Sequence, residues 1–140
     1  MHKNAISYVA DYVPTPVLGA LMRLIVSQCY NRNKYNEVYR TQKELTSFEH
    51  STINTYLKKL SSNKPCIIDI GCGAGMPFDA YFSHHGCEIV GIDISSAQIN
   101  KAKMNVPSAK FINADFMSYQ DTMLYDGAVL FYSLFHIQRE

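Results

Sequence analysis

Residues 67–75, Ile-Ile-Asp-Ile-Gly-Cys-Gly-Ala-Gly, carry an apolar strand through an acid and straight into a glycine-rich turn. Gly71, Gly73 and Gly75 alternate, so the backbone can turn tightly and let a ligand lie against bare peptide. Pro77 then falls where a first helical residue would, a position that tolerates a missing N–H. Strand, glycine turn and helix N-terminus in that order predict a cofactor-binding crevice. The dinucleotide fingerprint G-x-G-x-x-G needs glycine at 76, where Met76 stands. Asp69, two residues before the first glycine, is also awkward beside a pyrophosphate, because like charges in a poorly solvated crevice repel. It suits a ligand that carries positive charge.

Beyond Cys66 the chain alternates strand and helix. Residues 66–70 read as a first strand, and Pro77 to His85 as a helix closed by Gly86. Residues 87–93 read as a second strand, and a helix opening on a Ser95–Gln98 capping box runs to about Met104. Lys110 to Ala114 reads as a third strand ending at Asp115, and Asp126-Gly127 leads into a fourth, Ala128 to Tyr132. Continuous apolar strands separated by helices mean an α/β fold, with a parallel sheet covered on both faces. Before it, residues 1–62 hold two candidate helices, about 16–29 and 43–60, separated by Asn31-Arg32-Asn33-Lys34. In the second, Leu45, Phe48, Ile53, Tyr56, Leu57 and Leu60 keep helical spacing and predict one apolar face.

Asp69, Asp93 and Asp115 close three successive strands, and a parallel sheet puts strand ends at one carboxyl edge, where doubly wound folds bind ligands. The two oxygens of Asp93 can accept from both hydroxyls of a ribose, so Asp93 indicates an adenosine-like ligand without choosing among cofactors. Asp115 alone could as easily cap the turn that follows it.

These motifs together resemble the class I S-adenosylmethionine-dependent methyltransferases of small-molecule type, over about residues 65–140. The glycine turn is similar to their motif I, and Val90-Gly91-Ile92-Asp93-Ile94-Ser95 to the segment whose acid takes the ribose. Phe111-Ile112-Asn113-Ala114-Asp115-Phe116 looks like the segment whose acid accepts from the adenine amino group. The resemblance implies S-adenosyl-L-methionine as cofactor, with Asp69 orienting its methionine end and Gly71, Gly73 and Gly75 presenting backbone to it. Asp93 would hold the ribose, Asp115 and the Phe116 N–H the base, and Ile94 and Phe116 the faces of the purine.

The implied reaction is methyl transfer to an unidentified, small-molecule acceptor by in-line displacement at the sulfonium. Such a step asks the protein mainly for positioning and exclusion of water. His136 is the general-base candidate and Tyr132 a pocket-lining one, although neither is required. The implied fold is a doubly wound Rossmann-like sheet of about seven strands, of which four are visible, in the order 3-2-1-4. Residues 63–140 would then be a partial methyltransferase core. Residues 1–62 would cover the sheet or form a lid, with Tyr30 and Tyr35 the residues to watch. A fourth strand apolar on both faces and lying at an open edge invites pairing. The expectation is a piece of a longer protein, or an edge over residues 127–132 covered in an oligomer. Two other readings stand beside this one: a non-catalytic module that binds the cofactor or a partner chain, and a nicotinamide-dependent oxidoreductase, disfavoured by Met76 and Asp69.

Composition narrows the remaining classes. A formal net charge of +1 in 140 residues, with no Lys/Arg run, gives no case for nucleic-acid binding. The most apolar stretch, Val17 to Val26, is interrupted by Arg23 and is too short for a bilayer. The first residues do not read as a cleavable leader, and a cytoplasmic location is the default. Cys29, Cys66, Cys72 and Cys87 form no C-x-x-C pair and read as small buried hydrophobes kept reduced. His84 and His85 read as helix-end residues favoured by the dipole there, with no metal site proposed.

Overall fold

The computed structural model describes residues 15–32, with side chains from Arg23 onward, together with residues 44–131 and Ser133. In chain order the elements are α1 (Thr15–Asn31), α2 (Ser47–Leu57), β1 (Cys66–Ile70), α3 (Phe78–His84), β2 (Glu88–Asp93), α4 (Ser96–Asn105), β3 (Lys110–Asn113) and β4 (Gly127–Val129). The strands form one sheet in the order β3-β2-β1-β4, with every pairing parallel. Ile67, Ile68 and Ile70 of β1 stand opposite Ile89, Val90 and Ile92 of β2.

Alternation along the strands sends side chains to two faces. On one face Ile67, Ile89 and Val129 meet Ile53 of α2 and Phe78 and Phe82 of α3. Next to them Phe111 of β3 joins Ile99, Ala102 and Val106 from α4 and its C-terminal cap. On the other face Ile68, Ile70 and Ile92 are packed by Ile112, Ala114, Tyr119 and Tyr125. The Asp121 carboxylate accepts from the hydroxyls of both Tyr119 and Tyr125, at 2.6 and 2.5 Å, and so holds that covering loop together.

Helix ends follow local chemistry. Ser95 Oγ accepts from Gln98 N at 3.2 Å and starts α4 where the sequence indicates. Gly86, at φ 82°, lets the chain leave α3 in the left-handed region just past its cap, His85. Pro77 is the N-cap of α3 and not its first helical residue. α2 starts at Ser47 and not near 43, because Thr46 and Glu49 form a full capping box: Glu49 N donates to Thr46 Oγ1 and Thr46 N to Glu49 Oε2.

Three further sequence expectations need correction. Phe48 is not part of the apolar face of α2; it is 79% exposed, while Leu45, Ile53, Tyr56, Leu57 and Leu60 pack inward. It lies in the first turn, ahead of the Ile53–Leu57 stripe that meets the sheet. The fourth strand is shorter than 128–132: pairing with β1 stops at Val129, and Phe131 turns to stack on Phe78 with ring centroids 3.9 Å apart. Cys72 and Cys87 are buried, but Cys66 is half-buried and Cys29 is exposed, on the outward side of α1. No helix among the described residues is long and apolar enough to cross a membrane.

Gly91, in the middle of β2, shows how tightly β3 and α4 seat on the sheet. A Cβ there would lie 2.6 Å from the Cδ1 and Cε1 atoms of Phe111 and 2.9 Å from Cys72 Sγ. Phe111 is only 6% exposed, so its ring has little room to yield. Gly91→Ala is therefore expected to destabilise the fold by about 1–3 kcal/mol, read as a lower urea midpoint at unchanged slope. An unchanged midpoint would show that the ring moves freely and that this packing is loose.

Candidate functional site

The carboxyl edge of the sheet is built around the turn that follows β1. Gly71, Gly73 and Gly75 have φ of 78°, 56° and 73°. All three lie in the left-handed region that glycine alone enters readily. The N–H groups of Gly71 and Cys72 both donate to the carbonyl of Ile92, at 2.7 and 3.1 Å, which straps the turn to the end of β2. At the close of that strand, Asp93 accepts from Gly73 N through Oδ2 at 2.9 Å and from Ser95 N through Oδ1 at 2.8 Å. One half-buried carboxylate thus ties the glycine turn to the start of α4. Each carboxylate oxygen carries two lone pairs, so the group that fixes the turn can also receive a diol.

Asp69 is not at the rim. It stands in register with Gly91, two positions before Asp93, and is 2% exposed. Across from it, Asp79 in the first turn of α3 is fully buried. Burial, then the charge of Asp69, then a hydrogen bond with Asp69 hold the Asp79 carboxyl well above the usual carboxylate range. Asp79 therefore favours its neutral form far more than an ordinary carboxyl does, beside Asp69 beneath the turn. Burial, reinforced by Asp79, Asp69 and Asp93, pushes the Cys72 thiol far up. Cys72 is a neutral packing residue and not a nucleophile.

Asp115 does not close β3, which ends at Asn113. Its Oδ1 accepts from Met117 N at 3.0 Å, capping the following turn, and its Oδ2 pairs with Arg23 Nε of α1 at 2.8 Å. The three aspartates are therefore staggered: Asp69 beneath the turn, Asp93 at the rim and Asp115 beyond it. Ile94 is half-buried, and its carbonyl accepts from Ser27 Oγ at 3.3 Å. Phe116 is 38% exposed beside Asp115.

Sequence reasoning missed the contributions of α1. Besides Arg23 and Ser27, Asn31 Oδ1 accepts from Ser95 Oγ at 2.7 Å and from Ala97 N at 3.1 Å, adding a second acceptor at the start of α4. These contacts join residues more than sixty positions apart, and no local motif announces them. Asp79 was also missed, since an acid in a first helical turn ordinarily reads as a surface complement to the helix dipole. Ser133, past β4, lies against Gly71: a Cβ on that glycine would come within 2.3 Å of Ser133 Cβ. Tyr35, Tyr132 and His136 lie outside the described residues. Tyr30 is half-buried near the end of α1. His85 stacks on Tyr81 with centroids 4.0 Å apart, and its Nδ1 lies 2.8 Å from Tyr81 O, consistent with a helix-end role. Among the described residues no group of His, Cys, Asp and Glu side chains is placed to hold a metal.

With this geometry in hand, comparison with known proteins identifies the family. Residues 67–140, more than half of the chain, match the family model described as a methyltransferase domain. The chain belongs to that family. Among curated proteins it is 34% identical over 79 residues to the O-methyltransferase resE of Aspergillus sclerotiorum, covering 51% of this chain and 30% of that protein. It is 31% identical over 64 residues to the 24-methylenesterol C-methyltransferase 2 of Oryza sativa subsp. japonica, covering 46% of this chain and 17% of that protein. The chain thus spans less than a third of the length of either relative.

Among solved structures, the magnesium protoporphyrin IX methyltransferase of Synechocystis PCC 6803 with bound SAM superposes with a TM-score of 0.63 at 17% identity, covering 84% of this chain and 64% of that one. The amino pentose methyltransferase CalS10 of Micromonospora echinaspora, also SAM-bound, gives 0.61 at 15% identity, covering 75% and 44%. At these identities the likeness establishes the fold: a Rossmann-like parallel sheet with flanking helices.

Proposed function

We propose that this chain carries the cofactor half of an S-adenosylmethionine-dependent methyltransferase acting on a small-molecule acceptor. The observation that carries the reading is the Asp93 carboxylate, held by the N–H groups of Gly73 and Ser95 at the mouth of a turn with three left-handed glycines. The residues present fit the cofactor. The turn offers bare backbone, the acid Asp69 lies buried under it and suits a cationic ligand, and Asp93 has the geometry to take a ribose diol. Gly71, Gly73 and Gly75 would face the amino-acid portion, with Asp69 acting from below. Asp115 and Phe116 N–H would meet the base, and Ile94 and Phe116 its two faces.

The cofactor, when bound, supplies a methyl group already activated by the sulfonium. The protein has then to align an acceptor in line with that methyl and to exclude water. Helix α1 is suited to the second task. Arg23, Ser27 and Asn31 fasten it across Asp115, Ile94 and the start of α4, over the adenosyl end of the crevice. Residues 1–62 therefore include a lid as well as a cover for the sheet, in the person of α2. The outer edge of β4 would be covered by further strands or by another chain. A cytoplasmic location agrees with four unpaired cysteines. The matched proteins act on acceptors as different as a sterol, a porphyrin and an amino sugar, so the acceptor is assigned only as a small molecule.

Titration calorimetry with S-adenosylhomocysteine and with NAD separates this reading from its rivals. Saturable binding of the first and none of the second is expected. Binding of NAD alone would overturn the assignment.

A further inference from the structure

Ser133 is a polar residue at the crevice with no role in the proposed cofactor site so far. Its Oγ is buried and has no hydrogen-bond partner among the described residues. That is uncommon, because a buried hydroxyl without a partner has given up water for nothing. It sits against the first glycine of the turn: a Cβ on Gly71 would lie 2.3 Å from Ser133 Cβ and 3.1 Å from its Oγ. The absence of a side chain at 71 is what admits this serine to the floor of the crevice.

The order of strands says which part of the ligand would arrive there. Along the edge the sheet runs β3, β2, β1, β4. Asp115 follows β3, Asp93 closes β2, the glycine turn follows β1, and Ser133 follows β4. With the base at the β3 end and the ribose at β2, the far end of the ligand extends across β1 toward β4. Three interstrand steps span about 14 Å, comparable to an extended adenosyl amino acid from purine to carboxylate. The charge of Asp69, buried beneath the turn, draws the ammonium toward β1 and repels the carboxylate. The carboxylate is left to neutral donors on the β4 side.

Resting on the cofactor assignment above, we propose that Ser133 is a further cofactor-binding residue, whose hydroxyl donates to the carboxylate of the ligand's amino-acid end. The test compares S-adenosylhomocysteine with S-adenosyl-3-thiopropylamine, the same molecule without its carboxylate, by calorimetry on wild type, Ser133→Ala and Ser133→Cys. Both variants are expected to weaken S-adenosylhomocysteine by about tenfold, the size of one hydrogen bond to a charged group, and to leave the amine within twofold. Equal weakening of both ligands would mean that Ser133 only supports the turn, and would overturn the proposal. So would unchanged affinity for S-adenosylhomocysteine in either folded variant. Failure of wild type to bind either ligand would instead sink the cofactor assignment, and this proposal with it.

Discussion

Asp93→Ala is expected to lower affinity for S-adenosylhomocysteine by about two to four orders of magnitude. Two hydrogen bonds from ribose hydroxyls to a carboxylate, at roughly 1.5–3 kcal/mol each, set that range. The same side chain accepts from Gly73 N and Ser95 N, so its removal also releases two backbone donors and loosens the turn. The two effects separate in measurement. Loss of the turn anchor lowers the urea midpoint of the ligand-free protein, whereas loss of the diol contact is read by calorimetry on protein that remains folded. Asp93→Asn, which keeps one acceptor oxygen, should fall between wild type and alanine in affinity. If folded Asp93→Ala binds within threefold of wild type, Asp93 is a structural tie and not a ribose ligand.

The second large effect concerns stability. In the folded chain Asp79 is buried, and its carboxyl is held well above its ordinary value of 3.8 by burial first and by Asp69 second. A carboxyl raised in the folded state holds its proton where the unfolded chain has already released it. Its contribution is fully present below 3.8 and is lost as pH rises from there toward the folded value. Within that window the loss approaches about 1.4 kcal/mol per pH unit. Asp79→Asn removes the titration while keeping an N–H that can donate to Asp69. The variant should therefore gain on wild type as pH is raised above 3.8. Comparing the two proteins at each pH cancels the contributions of the other carboxylates. Parallel curves for wild type and variant would show that Asp79 titrates normally.

How much of this was legible before the structure depends on how local each cause is. β1, the glycine turn, β2 and the Ser95 cap follow from residues within a few positions of one another, whereas the sheet order came only from the resemblance to the methyltransferase family. Asp93 was legible because it ends an apolar strand next to a capping serine. Asp115 was only half legible. Its turn-capping role is local, but its partner Arg23 comes from a helix far back in the chain. Phe48 follows Leu45 at helical spacing yet is solvent-exposed, because it stands five positions before Ile53 and so falls off the stripe that reaches the sheet. The fourth strand reads as continuous to Tyr132, whereas the ring of Phe131 finds a better partner in Phe78 than in a strand neighbour. The pairing of Asp79 with Asp69 depends on how α3 settles over β1, a tertiary fact that helical spacing does not encode.

The most direct measurement is a crystal structure of the chain grown with S-adenosylhomocysteine. The expected density has the ribose hydroxyls on Asp93, the base beside Asp115 and Phe116, and the amino-acid end over Gly71 to Gly75. A ligand seated elsewhere on the sheet, or a pyrophosphate accepted on the turn above Asp69 in a parallel soak with NAD, would contradict a crevice shaped for a cationic adenosyl group.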